Sequence, residues 1–555
     1  MRLTIKQFKS KESFVIDAEA GITPEMIYKE HKDYFTYPII CCKVNNHLRD
    51  LTFPIKEDAL VEMLDAREDN ANRIMQESLS LIYIRACKKV LGDDARISIR
   101  NILSDSLFTT IKPFAEVTEE QVAEIEKLMH EYCENKTPIE YELMPREKAL
   151  AKLKETNYFY EKIKLLEYNT DFKNVVFYTF DGYTEPFYFY MVPSADYVSM
   201  FELKKYRHGV LLRCPRRTNP NELPPFAEEP HMYETFGTGI VWRNKLAIKY
   251  AGDLNEEIVN GDPKELIMVA EALQEKKIVD IADEVYERKS KVVLIAGPSS
   301  SGKTSFAKRL CVQLRALGLK PIYMGTDDFF KNRYLMPKDE EGEYNFEDLD
   351  ALDVDLFKTC ISDLLEGKEV DMPRFDFITG VKVFGEKKLK IKSNQILVIE
   401  GIHALNDDLT GVIPKDKKYR IYISPLSYIN VDKHTRTQAS SARVIRRIVR
   451  DYKTRGYSAK ETIKIWPKVR EAEARNIFPY SENCDIIFDS ALIYELPVLK
   501  KHAMPLLETI KIEDDEYCEA RALIRTLKFI EEIHDDTPVP NDSLLREFIG
   551  GSVIV

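Results

Sequence analysis

An apolar run at Val292–Ala296 passes without a break into Gly297-Pro298-Ser299-Ser300-Ser301-Gly302-Lys303-Thr304 and then into a helical stretch, KTSFAKRLCVQLRAL. Few local patterns restrict a fold as tightly. Five apolar residues in a row predict a strand buried on both faces, which belongs in a parallel sheet covered by helices. The glycines let the backbone turn sharply, so that successive N–H groups face one point, and the helix N-terminus adds positive potential there. Spacing of the form G-x-x-x-x-G-K-[ST] therefore predicts a phosphate cradle built from Gly297, Ser299, Ser300, Ser301, Gly302, Lys303, Thr304 and Ser305. In it Lys303 reaches terminal phosphates and the Thr304 hydroxyl ligates Mg²⁺.

Strand and helix patterns alternate from this point on. KPIYMGTDD, QILVIEG, YRIYISPL and CDIIFDS supply four more strand runs, which predicts a parallel α/β sheet with crossover helices. Ligands of such sheets sit at the carboxyl ends of the strands. Two acids occupy such ends. Asp327, followed by Asp328, closes one strand and can accept a proton from an attacking hydroxyl. Glu400 closes another and can help to hold Mg²⁺. Downstream, ARVIRRIVRDYKTRGYS aligns Arg443, Arg446, Arg447 and Arg450 on one helical face, with Val444, Ile445, Ile448, Val449 and Tyr452 on the other. Four arginines on one stripe repel each other unless they meet anions, and guanidinium forks match phosphates. This helix is expected to close as a lid over transferring phosphate and exclude water.

The sheet accounts for less than half of the 555 residues, so three or four domains are expected. No run is apolar enough to cross a bilayer, and the first residues lack the pattern of a signal peptide. Nine cysteines without CxxC spacing suit reduced thiols in a cytoplasm. A net charge of −11 argues against nucleic-acid binding driven by overall charge. Ahead of the sheet, the strands RLTIK and YPIICCKVNN and the capped helix TPEMIYKEH outline a small unit over residues 1–64. Two helices, one ended by Gly92 and one started by Thr118, open a region over 65–215. Pro- and Asn-rich sequence and a helix near 263–289 form a connector over 216–289.

Residues 290–512 resemble the uridine kinase/phosphoribulokinase family of P-loop kinases. The resemblance rests on GPSSSGKTS, Asp327-Asp328-Phe329-Phe330, NFEDLDALD at Asn345–Asp353, PRFDF at Pro373–Phe377, IEGIHAL and the RxxRRxxRD helix. It implies that Asp327 is the general base, that Glu347 holds ribose hydroxyls and that Glu400 helps to bind Mg²⁺. Arg443 and Arg446 would contact substrate and phosphates, with Phe330 and Phe375 in the acceptor site and Arg447 and Arg450 on the ATP side. REFIGGS, in a tail over 513–555, resembles the tail of a long-chain subgroup of nucleoside kinases. Three departures bear on the acceptor. Ile378-Thr379-Gly380 stands where nucleoside kinases of the family place a base-reading His, Ser441 replaces an Asp, and Glu347 replaces another Asp.

The front half resembles other proteins. Residues 1–64 resemble a TGS domain, a β-grasp module, and 65–215 resemble the α+β second additional domain of threonyl-tRNA synthetases. Glu77 and Leu81 fall where that domain's H-x-x-x-H ligands belong, so zinc-dependent editing is expected to be absent. His130 and His208 are expected to be surface or packing residues. The basic run Lys204, Lys205, Tyr206, Arg207, Arg213, Arg216 and Arg217 is a candidate RNA or nucleotide contact, although a solvated strand face accounts for it more simply. The expectation is thus a cytoplasmic, ATP- and Mg²⁺-dependent kinase of a small-molecule hydroxyl, most simply a nucleoside 5′-hydroxyl. The alternatives are a sugar or sugar-phosphate kinase and an RNA-linked regulator that binds ATP as a switch.

Overall fold

The structure, a computed structural model, describes residues 1–113, 116–156, 159–338, 342, 344 and 346–555. All five strands expected around the phosphate loop form. Their order is Lys320–Gly325, Gln395–Glu400, Val292–Ala296, Lys418–Ser424 and Ile486–Asp489, each parallel to its neighbours. Val292–Ala296 lies at the centre with every residue buried, as its continuous apolar sequence requires. Gly297 follows because the loop must turn tightly against the next strand: a Cβ there would stand 2.0 Å from the Ile423 carbonyl oxygen. Helices Lys303–Ala316 and Pro263–Glu287 pack on the sheet through Ile278, Ile281, Phe306 and Leu310. A hairpin of Val370–Asp376 and Val381–Leu389 stands outside it.

At the front, Arg2–Gln7 pairs antiparallel with Ser13–Asp17 and parallel with Ala59–Asp65, and Ile39–Val44 joins Ala59–Asp65 to His47–Arg49. Thr23 caps the helix Pro24–Glu30 by accepting the Met26 N–H. Next comes the helix Asp69–Leu91, ended at Gly92 and buried on almost every side. It packs against a four-stranded sheet containing Arg96–Leu103 and a three-stranded sheet containing Asn174–Phe180. His130 stacks on Phe201 at 4.4 Å, a packing role as expected.

The front half grips one kinase segment, residues 429–437. Ile99 N–H donates to the Lys433 carbonyl at 2.8 Å, and Ala251 N–H donates to that of Asn430 at 2.9 Å. Beneath them Lys162, fully buried, lies 2.7 Å from Asp432 and 3.0 Å from Glu185. His434 pairs with Glu185 and reaches the Ile97 carbonyl at 3.1 Å. This segment leads directly into the arginine helix, Ala439–Thr454, so the front half fixes the helix's approach. The region 513–555 is no appendage. Leu523, Leu527, Phe529 and Phe548 share one core with Ile445 and Ile448 of the arginine helix, and Lys43 of the front sheet pairs with Glu519 at 3.3 Å.

Candidate active site

The phosphate loop is held open from several directions. Ser300 and Gly302 adopt left-handed backbone, with φ of +60° and +86°, which turns the intervening N–H groups inward. Ser299 N–H donates to Glu473 at 2.9 Å. Ser490 Oγ donates to the Ser301 carbonyl at 2.6 Å. At the start of the following helix Ser305 Oγ donates to Glu547 at 2.6 Å, and Leu544 packs so closely that a Cβ on Gly302 would lie 2.8 Å from its Cδ2. The hydroxyls of Ser300 and Ser301 are buried without a partner among the described residues, which suits donors that await phosphate oxygens.

Lys303 Nζ donates to the loop's own Gly297 and Pro298 carbonyls, at 2.8 and 3.1 Å. Burial holds its ammonium below the ordinary lysine range, against the pull of Glu400, Asp327 and Glu347. Thr304 Oγ1 donates to Glu400 Oε1 at 2.8 Å, and the Tyr323 hydroxyl donates to the same oxygen. The other oxygen, Glu400 Oε2, is buried without a partner among the described residues. A hydroxyl and a carboxylate this close, with one carboxylate oxygen unused, form the oxygen-rich set that Mg²⁺ takes together with phosphate oxygens. The residues fit the ion.

The strand beside Glu400 ends at Gly325, and Asp327, expected to close it, stands just beyond in the 3-10 turn Thr326–Phe329, exposed at its surface. Surrounding protein nevertheless desolvates it, and with Glu400 nearby this pushes its pKa up to about 6. Glu347 is also shifted upward by burial, and its backbone carbonyl is held by His403 at 3.1 Å and Asn476 at 3.0 Å. Asn345, which begins the NFEDLDALD element, lies outside the described residues. Next to the acids, Phe330 meets Phe346, Phe375 and Phe377 edge-on at centroid distances of 5.4, 5.6 and 6.2 Å. Arg333 N–H donates to the Gly380 carbonyl at 2.7 Å, so the hairpin turn with Ile378 and Thr379 is fastened to this wall.

The arginine helix reaches the loop, but two of its forks are already engaged. Arg443 pairs with Glu473 through both nitrogens, at 2.5 and 2.6 Å, and also donates to the Ser299 carbonyl at 3.0 Å. Arg446, 1% exposed, pairs with Glu495 at 2.9 and 2.5 Å and touches the Ser300 carbonyl at 3.3 Å. Both therefore brace the loop backbone. Arg447 donates to Ser299 Oγ at 2.8 Å and shares Asp451 with Arg450. The helix is buried on both faces, because the arginine side meets a wall of carboxylates and carbonyls while the aliphatic side meets the core. Tyr452 departs from the expected pattern: it is 55% exposed, although the helix runs on to Thr454.

Sequence reasoning did not find Tyr323, Glu473, Glu495 or Glu547, and no motif marks them. The basic run in the front half is largely neutralised: Lys205, Arg207, Arg213, Arg216 and Arg217 pair with Glu116, Glu228, Glu202, Asp105 and Asp69. Glu77 pairs with Arg73 at 3.9 Å and Leu81 is fully buried, as a packed helix requires.

Residues 292–493 match the model of the Phosphoribulokinase / Uridine kinase family. A uridine kinase of Chloroflexus aurantiacus is 28% identical over 199 residues, covering 36% of this chain and 85% of that one. Uridine-cytidine kinase C of Dictyostelium discoideum is 34% identical over 122 residues, 22% of this chain and 25% of that one. The solved structure of D-glycerate 3-kinase from Cryptococcus neoformans covers 37% of this chain and 88% of its own at 13% identity, with a TM-score of 0.27, too low to bear on function. No helix among the described residues is long and apolar enough to cross a membrane. With the phosphate loop, the strand-end acids and the family match in one place, the C-terminal part of the chain is a P-loop kinase domain of the phosphoribulokinase/uridine kinase family.

Proposed function

We propose that this chain transfers the γ-phosphoryl group of ATP to the hydroxyl of a small molecule, most simply the 5′-hydroxyl of a nucleoside. The observation that carries the reading is Asp327, a carboxylate with its pKa pushed up to about 6, beside Lys303 and the half-used Glu400. A base with that pKa is ionised at neutral pH and still basic enough to share a proton in the transition state. Asp327 takes the acceptor's proton as its oxygen bonds to the γ-phosphorus. The bond from that phosphorus to the bridging oxygen breaks, and ADP leaves. Lys303 turns from its loop carbonyls to the phosphates, and the loop N–H groups stabilise the charge that spreads over the transferred group. Thr304 and Glu400 would hold Mg²⁺, which neutralises phosphate charge. Arg443 and Arg446 keep the loop in shape, while Arg447 and Arg450 would serve the ATP side, Arg447 from its contact with Ser299. Glu347 is suited to bind acceptor hydroxyls.

The aromatic wall of Phe330, Phe346, Phe375 and Phe377 supports a flat acceptor over a sugar phosphate, because it offers ring surface while the Arg333 guanidinium beside it already donates to the Phe377 carbonyl at 2.6 Å. A sugar or sugar-phosphate acceptor is the second reading, favoured by the Ile378-Thr379-Gly380 turn, which carries no base-reading imidazole. We further propose that residues 1–64 form a TGS-like β-grasp unit and that 65–215 keep a synthetase-like fold in a bracing role. Support for these comes from the parallel pairing of Arg2–Gln7 with Ala59–Asp65 and from the grip on residues 429–437. The test is an acceptor screen with purified full-length protein, Mg²⁺-ATP, and panels of nucleosides, ribose phosphates and polyols, read as ADP formed. Turnover on a nucleoside supports the reading. Turnover only on a sugar phosphate replaces it with the second. ATP binding without turnover on any acceptor overturns both.

A further inference from the structure

A second cleft, half open to solvent and with a cavity volume of about 80 Å³, lies between helices Pro230–Lys245 and Pro263–Glu287 and the segments that follow the last two sheet strands. No phosphate-loop residue lines it, and most of its wall comes from the connector, outside the segment matched by the kinase family. Trp242, Leu246, Leu273 and Ile493 make it largely apolar. Its polar groups are unusual in being unfinished.

Gln274 is 4% exposed, and its Oε1 accepts from Arg309 at 3.1 Å. Arginine can only donate, so the amide orientation is fixed, and Nε2 is left buried in the cleft wall without a partner among the described residues. Ser427 Oγ is likewise buried and unpartnered. Gly239 allows the helix to approach it, for a Cβ there would stand 2.5 Å from that oxygen. Lys277, one helical turn from Gln274 and on the same face, has no ion pair among the described residues and sits 5.6 Å from the centre of the Phe488 ring. Burial lowers the pKa of this ammonium, and Asp489 acts in the opposite sense. Asp489 is itself committed, accepting N–H groups from Leu426, Ser427 and Ala491 at 2.9 to 3.1 Å. Arg243, the other cation, donates to the Ser427 carbonyl at 2.9 Å.

Two cations therefore face one carboxylate that already accepts three N–H groups, and two of the three unfinished groups, the amide and the ammonium, can only donate. An occupant must bring acceptor atoms, about one negative charge and an apolar body. We propose that this cleft is a binding site for a small aromatic monoanion, a carboxylate or sulfonate, whose charged head meets Lys277 and Gln274 while its ring lies against Trp242 and Leu273.

The test uses full-length protein and the fluorescent aryl sulfonate 8-anilinonaphthalene-1-sulfonate, with its uncharged relative N-phenyl-1-naphthylamine as a control. Saturable binding of one equivalent is expected, with much weaker binding of the neutral dye. Lys277→Gln should weaken the sulfonate about tenfold or more, as loss of a charged hydrogen-bond donor does. Leu273→Trp, which fills the cleft, should abolish binding, and an unchanged melting temperature certifies that the variant is folded. If that variant does not fold, the Lys277→Gln result decides alone. Equal affinity of wild type and Lys277→Gln, no saturable binding, or competitive displacement by Mg²⁺-ATP would overturn the proposal, the last by assigning the cleft to the nucleotide.

Discussion

Two buried charge clusters in this chain contain the same kinds of group and behave in opposite ways. At the grip on residues 429–437, Lys162 meets Asp432 and Glu185 within 3.0 Å. Burial alone would lower the Lys162 pKa, but its two carboxylates outweigh that and raise it well above the ordinary value, while Glu185 is driven down. Each charge there has its counter-charge. At the phosphate loop the shifts reverse: Lys303 is lowered, and Asp327 and Glu347 are raised. There burial wins: it outweighs the pull of Glu400, Asp327 and Glu347 on Lys303, and the pull of Lys303 on Asp327 and Glu347. The first cluster is complete as folded, and the second is poised for charge that arrives with a substrate. Charges balanced within the fold hold structure together; groups of the same type that burial pushes away from their ordinary charge state mark where chemistry occurs.

The contrast can be broken most sharply at Asp327. Asp327→Asn should lower turnover by about 10²–10⁴-fold, the usual contribution of a positioned base, and leave ATP affinity nearly unchanged in a titration. Its effect on stability should have the opposite sign. The folded pKa of about 6 lies above the ordinary value of 3.8, so the folded state holds the proton more tightly between those values. This group therefore favours folding at low pH, and that contribution is lost as pH rises through about 6. The variant should melt slightly higher than wild type at pH 7, with the gain fading towards pH 4; water in the cleft keeps it small. A lower melting temperature at pH 7 would contradict the reading.

Lys303→Ala should cost on the order of 10²–10³ in kcat. Lys162→Met should instead destabilise the fold by about 3–5 kcal/mol, because two buried carboxylates lose their cation. Chemical denaturation separates these two outcomes. In the wild type, kcat/KM should fall tenfold for each pH unit below about 6 as Asp327 takes up its proton, and level off above. An acid limb that persists in Asp327→Asn with residual activity would assign it to another group. The smallest effect is expected at Glu547→Gln, which keeps a hydrogen bond to Ser305 but removes its charge. A rise of a few-fold in the KM for ATP, from about 1 kcal/mol, is the predicted size.

Much of this was legible in the sequence because it is local. The strand Val292–Ala296, the loop and the helix after it are specified by neighbours within twenty residues, and the acids Asp327 and Glu400 by the strands at whose ends they stand. The approach of the arginine helix to the loop was legible as well, from spacing and charge. What the arginines touch was not. Arg443 finds Glu473 30 residues on, Arg446 finds Glu495 49 residues on, and Ser305 finds Glu547 after 242. A lone glutamate on a helix has no local signature of its partner, since only the packing of three helices brings it there. The unfinished groups at Gln274 and Ser427 were hidden for the same reason.

The contact between Ser305 and Glu547 also bears on how the protein is made. The phosphate loop leaves the ribosome long before the carboxylate and the Leu544 side chain that seat it. With 242 residues still to be added, and elongation at about 5–20 residues per second, the loop waits roughly 10–50 s for them. A nascent chain thus displays its whole nucleotide motif while the motif lacks its support, and completion of the site is timed by translation itself.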